Sequence, residues 1–322
     1  MISVVIPVYR NEGNIPELLA ALAQLHGELA GDFEAVLVVD GSPDRSYALL
    51  REALPRQPFR AKLVLLSRNF GSFSAIRAGL AEASGEHLAV LAADLQEPPE
   101  LILRFRAALA AGDCDVVLGT REGRYDPLLS RLSSGLFWWF YRRFVQPRMP
   151  AGGLDVFACT RNFANHLLRL EEAHSTLVGL VVWLGFRVKS IGYERQPRRI
   201  GKSGWTFGKK WKYLFDSIFA FTDLPFRLLS FLGSIAVVLA VVISGLAIWS
   251  RLTGRIPVPG YTITVVLIMF FGGINAIGVS LLGAYLWRAF DNTKRRPNYL
   301  VAAVDAFSPT ASPARTSHAP ET

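Results

Sequence analysis

The sequence predicts an α/β protein: a doubly wound, mostly parallel sheet, then amphipathic juxtamembrane helices and a two-helix transmembrane hairpin. Three observations carry this expectation. Strand-like and helix-like segments alternate five times between Ile2 and Arg121, which calls for parallel strands with helices on both faces. Each strand-like run ends in a polar tip, so the tips can converge on one crevice. Finally, Leu228 to Ser250 and Ile256 to Trp287 contain no charged residue, and each can cross a hydrocarbon core of roughly 30 Å as a helix.

The elements follow in order. Ile2 to Val8 is an apolar strand, too short and too uncharged at its start for a signal peptide, and Tyr9 to Asn14 is a polar loop. Asn14 is placed to N-cap a helix that has Pro16 in its first turn and runs to about Leu29. Phe33 to Val39 is the second strand and ends in Asp40-Gly41-Ser42-Pro43-Asp44. Leu63 to Leu66 is a short third strand, followed by Ser67 to Gly71 and a helix to Ala83. The fourth apolar run, from Leu88, ends in Asp94-Leu95-Gln96-Glu97-Pro98-Pro99; the prolines stop it and open a helix from Glu100 to Ala111. Asp115 to Arg121 is a fifth strand, and Glu171 to Leu184 reads as helical. Leu132 to Phe144 is rich in aromatics and suits a membrane interface or a buried helix equally. Trp205 to Phe221 interleaves aromatics with lysines and reads as an amphipathic helix on a bilayer.

Composition narrows the chemistry. Of 322 residues only Cys114 and Cys159 are thiols, both in apolar settings, which excludes a disulfide framework and points to a reducing compartment. No G-x-G-x-x-G follows the first strand, so a dinucleotide fold has no specific support. The net charge of +9 is concentrated: Arg187 to Lys212 holds nine basic residues against Glu194 alone. Beside an apolar span, such a cluster suits anionic headgroups or a lipid phosphate better than nucleic acid. Two basic residues lie in the short loop Arg251 to Arg255, whereas Lys209, Lys210, Lys212 and Arg227 precede the hairpin and Arg288, Lys294, Arg295 and Arg296 follow it. That bias places the α/β domain and C-terminus in the cytoplasm.

Asp94 is the centre of the site expected from the residues themselves. It stands where a buried strand ends, the position at which open α/β sheets hold ligands. A carboxylate there suits a divalent cation, which in turn suits a diphosphate; a helix cap or turn is the structural alternative.

The tips, taken together, resemble a known family. Val5-Ile6-Pro7-Val8-Tyr9 with Glu12, Val39-Asp40-Gly41-Ser42, Ser67-Arg68-Asn69-Phe70-Gly71, Ala93-Asp94-Leu95-Gln96 with Pro98-Pro99-Glu100, and Gly119-Thr120-Arg121 occur in the order found in family 2 glycosyltransferases of the polyprenyl-phosphate type. Gly153-Leu154-Asp155-Val156-Phe157 and Arg198-Arg199-Ile200-Gly201-Lys202-Ser203 are similar to two further motifs of that group. The resemblance covers roughly residues 1 to 290. It implies a GT-A-like domain over residues 1–195, a basic amphipathic juxtamembrane region over 196–227 and transmembrane helices near 228–250 and 262–287. Residues 291–322 read from composition as a cytoplasmic tail, largely disordered, since past about Ala306 the chain is Ser, Pro, Thr and Ala.

The resemblance also implies roles. Asp94 with Gln96 would ligate Mg²⁺ or Mn²⁺, offsetting charge on a nucleotide-diphosphate leaving group, UDP- or GDP-linked. Pro7, Tyr9, Glu12 and Asp40 would hold the nucleotide. Arg121 would face phosphate with its guanidinium fork. Arg198, Arg199, Lys202 and Ser203, with Arg131 and Ser134 as further candidates, would receive the polyprenyl phosphate. Asp155 would act as a base or orient the acceptor, or serve only as a turn residue. For Arg68 a surface salt bridge is an equal alternative. The implied setting is a bacterial plasma membrane, multi-pass, with homo-oligomerisation through the hairpin open.

Three departures from the pattern stand out: Ala92 replaces the first carboxylate of the Asp-x-Asp motif, Val39-Asp40 replaces a doublet, and Gly204-Trp205 ends the juxtamembrane motif. Two other functions remain compatible with the sequence. One is a processive polysaccharide synthase, which would need more spans; the other is a non-catalytic nucleotide-sugar-binding scaffold, suggested by Ala92.

Overall fold

The computed structural model describes residues 1–121, 135, 139, 141–150, 154, 156–172, 174–196, 207–253 and 260–309. The chain divides into two compact units, Met1–Glu171 with Thr176–Thr206 and Pro297–Thr322, and Glu172–Ser175 with Phe207–Arg296.

The first unit is an eight-stranded sheet in the order β7-β5-β6-β4-β1-β2-β3-β8. The strands are β1 (Ile2–Val8), β2 (Phe33–Val39), β3 (Arg60–Leu66), β4 (His87–Val90), β5 (Val116–Arg121), β6 (Val156–Thr160), β7 (Val188–Tyr193) and β8 (Val301–Phe307). The pairings β1–β2, β1–β4, β2–β3 and β5–β7 are parallel. β6 runs antiparallel between β4 and β5, and β8 runs antiparallel along β3. The expected GT-A-like, mostly parallel sheet is therefore present, with antiparallel members that the five-fold alternation did not reveal.

Helices α1 (Ile15–Glu28), α2 (Ser46–Ala53), α3 (Ser72–Glu82), α4 (Leu101–Ala110), α5 (Arg161–Leu168) and α6 (Leu177–Trp183) belong to this unit. All of β2 is buried, as is β1 apart from Pro7. Such two-sided burial explains why both strands read as continuous apolar runs. Leu18, Leu22 and Leu25 of α1 are at most 1% exposed, each worth about 1.5–3 kcal/mol in transfer terms. Gly79 lets α3 sit against β1: a Cβ there would lie 2.3 Å from Val5 Cγ1.

Several expectations need correction. Asn14 is buried with helical backbone angles and makes no side-chain cap; a 3₁₀ turn, Glu12–Asn14, leads into α1 instead. β3 starts at Arg60, three residues before the expected Leu63. The sequence reading left out α2, whose short amphipathic pattern sits between two strong strands. Among the described residues of Glu171 to Leu184, the helix is Leu177–Trp183, N-capped by Thr176 Oγ1, which accepts from Gly179 N at 3.2 Å. The expected disordered tail yields a strand: Val301–Phe307 pairs with β3, and Tyr47 donates to Asp305 Oδ2 at 3.0 Å. Residues 310–322 lie outside the described residues.

The second unit contains α7 (Phe207–Phe221), α8 (Leu224–Leu252) and α9 (Tyr261–Thr293). Within α8 and α9, Leu224–Ile243 and Phe270–Thr293 are long and apolar enough to cross a membrane. Almost none of these residues is buried by protein; Val241 and Leu286 are 67% and 72% exposed. A core helix of a soluble domain would hide them. Arg288 of α9 donates to Asp216 of α7 at 2.9 Å and lies 4.7 Å above the Phe219 ring, so one guanidinium fastens the amphipathic helix to the apolar one.

Candidate active site

The connectivity creates a crevice. From β1 the chain winds outward through β2 to β3, then returns to place β4 on the other flank of β1. Such a switch in direction opens a gap beyond the carboxyl ends of the two strands, where α/β sheets bind ligands. The β1–β4 ladder stops at Val5–Val90, and the last bond across it is Leu91 N to Val5 O at 3.0 Å. Pro7, two residues on, faces the same flank, so its missing N–H costs no ladder bond. β1 continues against β2 to Val8–Val39, and the chain past Val90 is free to turn.

On one side of this gap, the tips after β1 and β2 are laced together. Arg10, at a φ of +56°, donates its N–H to Ser42 Oγ at 2.8 Å. Ser42 Oγ donates to Asp44 Oδ1 at 2.6 Å, and Glu12 N donates to Asp44 Oδ2 at 3.1 Å. Glu12 Oε2 accepts from Arg45 N at 3.0 Å. Burial works against ionisation of Asp44, but bonds from Ser42, Ser46 and the Glu12 and Ser46 N–H groups outweigh it and hold its carboxyl below the usual range. An open hollow of about 500 Å³ is lined by Arg10, Glu12, Gly13, Asn14, Pro43 and Asp44. Tyr9, the residue after β1, is 40% exposed.

Asp40 has a different setting from the one expected. It is 2% exposed, and its two carboxylate oxygens accept from Phe70 N at 2.7 Å and Gly71 N at 2.8 Å. Burial raises its pKa, moderated by those two N–H groups and by Arg68. Asp40 therefore acts first as the clamp of the Ser67–Gly71 loop. The same approach explains Gly41, at φ +54°: a Cβ would lie 2.3 Å from the Arg68 carbonyl carbon. Arg68 stacks 4.0 Å above the Phe70 ring and donates to Asn69 O at 3.3 Å, a local arrangement in place of the surface salt bridge considered above.

Across the gap, the chain turns sharply after β4, with Leu95 N donating to Ala92 O at 3.2 Å and Leu95 at φ +50°. Positive φ at a branched-chain residue is costly and is concentrated at functional turns. Asp94 is half-buried in this turn, and Gln96 and Glu97 are buried. Gln96 Oε1 accepts from Arg195 Nη2 at 2.5 Å, while Gln96 Nε2 donates to Gln196 O at 3.3 Å. Arg121 ends β5, opposite Tyr193 of β7. An all-oxygen set of Asp94 and substrate phosphate oxygens fits a hard cation, whereas Gln96 Oε1, expected beside Asp94 as a ligand, is bonded to the Arg195 guanidinium instead. Among the described residues no group of three or more His, Cys, Asp or Glu could hold a metal.

The structure thus brings Pro7, Tyr9, Glu12, Asp40, Asp94, Gln96 and Arg121 to the carboxyl-end side of one sheet. Asp155, Arg131, Ser134, Arg198, Arg199, Lys202 and Ser203 lie outside the described residues. Sequence reasoning missed Ser42, Asp44 and Arg195 as organisers. Ser42 and Asp44 carried a turn signal in Gly41-Ser42-Pro43-Asp44, whereas nothing local singled out Arg195. Neither cysteine is poised as a nucleophile: both are buried, and burial pushes the Cys159 thiol up to about 12.

Comparison with known proteins agrees with this geometry. The family model described as glycosyl transferase family 2 matches residues 3–166. An uncharacterized glycosyltransferase of Synechocystis is 33% identical over 302 residues, covering 94% of each chain. The undecaprenyl-phosphate 4-deoxy-4-formamido-L-arabinose transferase of Pectobacterium carotovorum is 33% identical over 314 residues, 96% of this chain and 95% of that protein. The protein of the same name from Klebsiella pneumoniae is 31% identical over 313 residues, covering 97% and 95%. With the family match spanning half the chain and relatives aligned almost end to end, the protein belongs to glycosyl transferase family 2 and is a glycosyltransferase.

Proposed function

We propose that the protein transfers a sugar from a UDP- or GDP-linked donor to polyprenyl phosphate at the cytoplasmic face of a bacterial plasma membrane, with inversion at the anomeric carbon. The observation that carries this reading is the extent of the likeness to the undecaprenyl-phosphate transferases. It runs past the α/β unit through the exposed apolar helices, the part of the chain suited to meeting a lipid acceptor. A processive synthase would need further spans to form a channel, and the described residues hold two candidates.

The donor would lie across the switch-point crevice. Tyr9 and the Glu12–Asp44 hollow offer a place for the nucleoside, with Asp40 holding the neighbouring loop in position. Asp94 would hold Mg²⁺ or Mn²⁺ when it binds, with Gln96 alongside and tied to Arg195, and the cation would neutralise charge on the departing diphosphate. Arg121 offers a further phosphate contact. Ala92 leaves one carboxylate in the motif, which suits Mg²⁺, an ion that keeps several waters. The acceptor phosphate, largely dianionic at neutral pH, is itself the nucleophile and needs little general-base help. Asp155 would then orient rather than deprotonate it. Arg198, Arg199, Lys202 and Ser203, with Arg131 and Ser134, would hold the lipid phosphate at the membrane surface. A single displacement inverts the anomeric centre.

The test is sugar transfer to undecaprenyl phosphate by purified protein in detergent, across UDP- and GDP-sugars, with Mg²⁺, Mn²⁺ or EDTA. A labelled lipid that disappears with EDTA and falls about 100-fold or more in Asp94→Ala is the expected result. Product that survives EDTA would remove the cation role. Absence of lipid product with every donor would overturn the acceptor assignment.

A further inference from the structure

The turn that carries Asp94 is fastened to the segment that runs into Arg198–Ser203. β4 and β7 are not neighbours in the sheet; β5 and β6 lie between them. Even so, the residues just past these two strands are joined by four contacts. Gln196 N donates to Gln96 O at 2.9 Å, and Gln96 Nε2 donates back to Gln196 O at 3.3 Å. Arg195 Nη2 donates to Gln96 Oε1 at 2.5 Å, and Arg195 Nε lies 3.9 Å from Glu97 Oε1. Sheet pairing does not impose this clasp. It draws together two loops across the ends of intervening strands.

The groups involved suit a device more than a surface tie. The Glu97 side chain is 3% exposed and that of Arg195 32%, so the pair is screened less than an ordinary surface bridge. A charge-assisted bond to an amide oxygen is roughly twice as strong as a neutral one. Leu95, between Asp94 and Gln96, is held at positive φ, a conformation that persists only where surroundings impose it. Gln196 immediately precedes Pro197-Arg198-Arg199 in the chain.

We infer that Arg195 is a positioning residue: by clasping Gln96 and Glu97, it sets where the acceptor-phosphate segment begins relative to the Asp94 turn. This rests on the acceptor assignment above. The guanidinium fixes how the Asp94 turn meets the chain at Arg195–Gln196, from which the basic segment follows in sequence. Small misplacements between reacting groups are costly in rate.

The experiment compares wild type, Arg195→Ala and Arg195→Lys in two measurements on the full-length protein in detergent. The first is hydrogen exchange, without ligands, of peptides covering residues 92–98 and 193–197. The second is steady-state transfer to undecaprenyl phosphate with the donor that the panel identifies. In Arg195→Ala both peptides should exchange faster while β1 and β2 stay unchanged. The acceptor KM should rise about tenfold and the donor KM by less. Arg195→Lys, which can reach one partner but not both, should fall between. Unchanged exchange at 92–98, or equal losses for donor and acceptor that track thermal stability, would overturn the inference. A wild-type protein that makes no lipid product would instead remove the acceptor assignment, and the exchange data would still decide whether Arg195 orders the turn.

Discussion

At the scale of single residues, the site is organised by groups whose partners are backbone. Asp40 spends both oxygens on Phe70 N and Gly71 N, and Asp44 collects N–H and O–H donors from two loops. Buried carboxylates need such donors, because desolvation otherwise disfavours their charge. Gly41 is the residue where this arrangement tolerates least: positive φ and a Cβ contact at 2.3 Å coincide. Gly41→Ala should cost on the order of 2–4 kcal/mol, read from chemical denaturation of the purified protein. A cost below about 0.5 kcal/mol would show that the Ser67–Gly71 loop yields easily.

At the scale of elements, β8 changes what the C-terminal segment is for. β3 would otherwise be an open edge, an invitation to pairing with another chain. Val301–Phe307 covers it in antiparallel register from Ala61–Phe307 to Leu66–Val301, with a shift at Leu65/Leu66. Tyr47 and Arg51 of α2 both approach Asp305, at 3.0 and 3.7 Å. Ending the chain after Asn298 should therefore lower the thermal midpoint and raise light scattering on gentle heating. An unchanged midpoint would mean that β3 holds its own edge. The strand escaped notice in the sequence because Val-Ala-Ala-Val-Asp-Ala-Phe is short, Ala-rich and followed by Ser and Pro. Its pairing partner is more than 230 residues away in the chain, beyond the reach of any local pattern.

At the scale of the whole molecule, charge sets the response to acid. Asp44 and Asp115 ionise below their ordinary value of 3.8 in the folded protein. For Asp115 the leading cause is its bond from Arg187, whose Nε lies 2.9 Å away. A lowered folded value means stability that is complete above 3.8 and is lost as pH falls through the folded value. Asp40 has the opposite sign: burial raises its value, so stability declines as pH climbs from 3.8 through that raised value and then levels off. Denaturation midpoints measured from about pH 2 to 6 should fall on the acid side, and Asp115→Asn should flatten part of that fall. An acid limb identical in the variant would leave the Arg187 pair without a share in it.

The chain by itself determined the parts that rest on local pattern. β1 and β2 are buried on both faces and were legible to the residue as apolar runs; α4 follows its two prolines; α8 and α9 announce themselves by uncharged length. Order along the chain was enough to line up Pro7, Tyr9, Glu12, Asp94 and Arg121 at strand ends, because parallel strands joined by helices all point one way. Only the tertiary structure decided the rest. It inserted β6 antiparallel between β4 and β5, brought β8 back to β3, made Asp40 a loop clamp, and joined Arg195 to Gln96. Each of these depends on which groups meet across long sequence separations. Such meetings are settled by the demand that buried backbone and charged groups find partners, a constraint that no single stretch of sequence can satisfy or reveal alone.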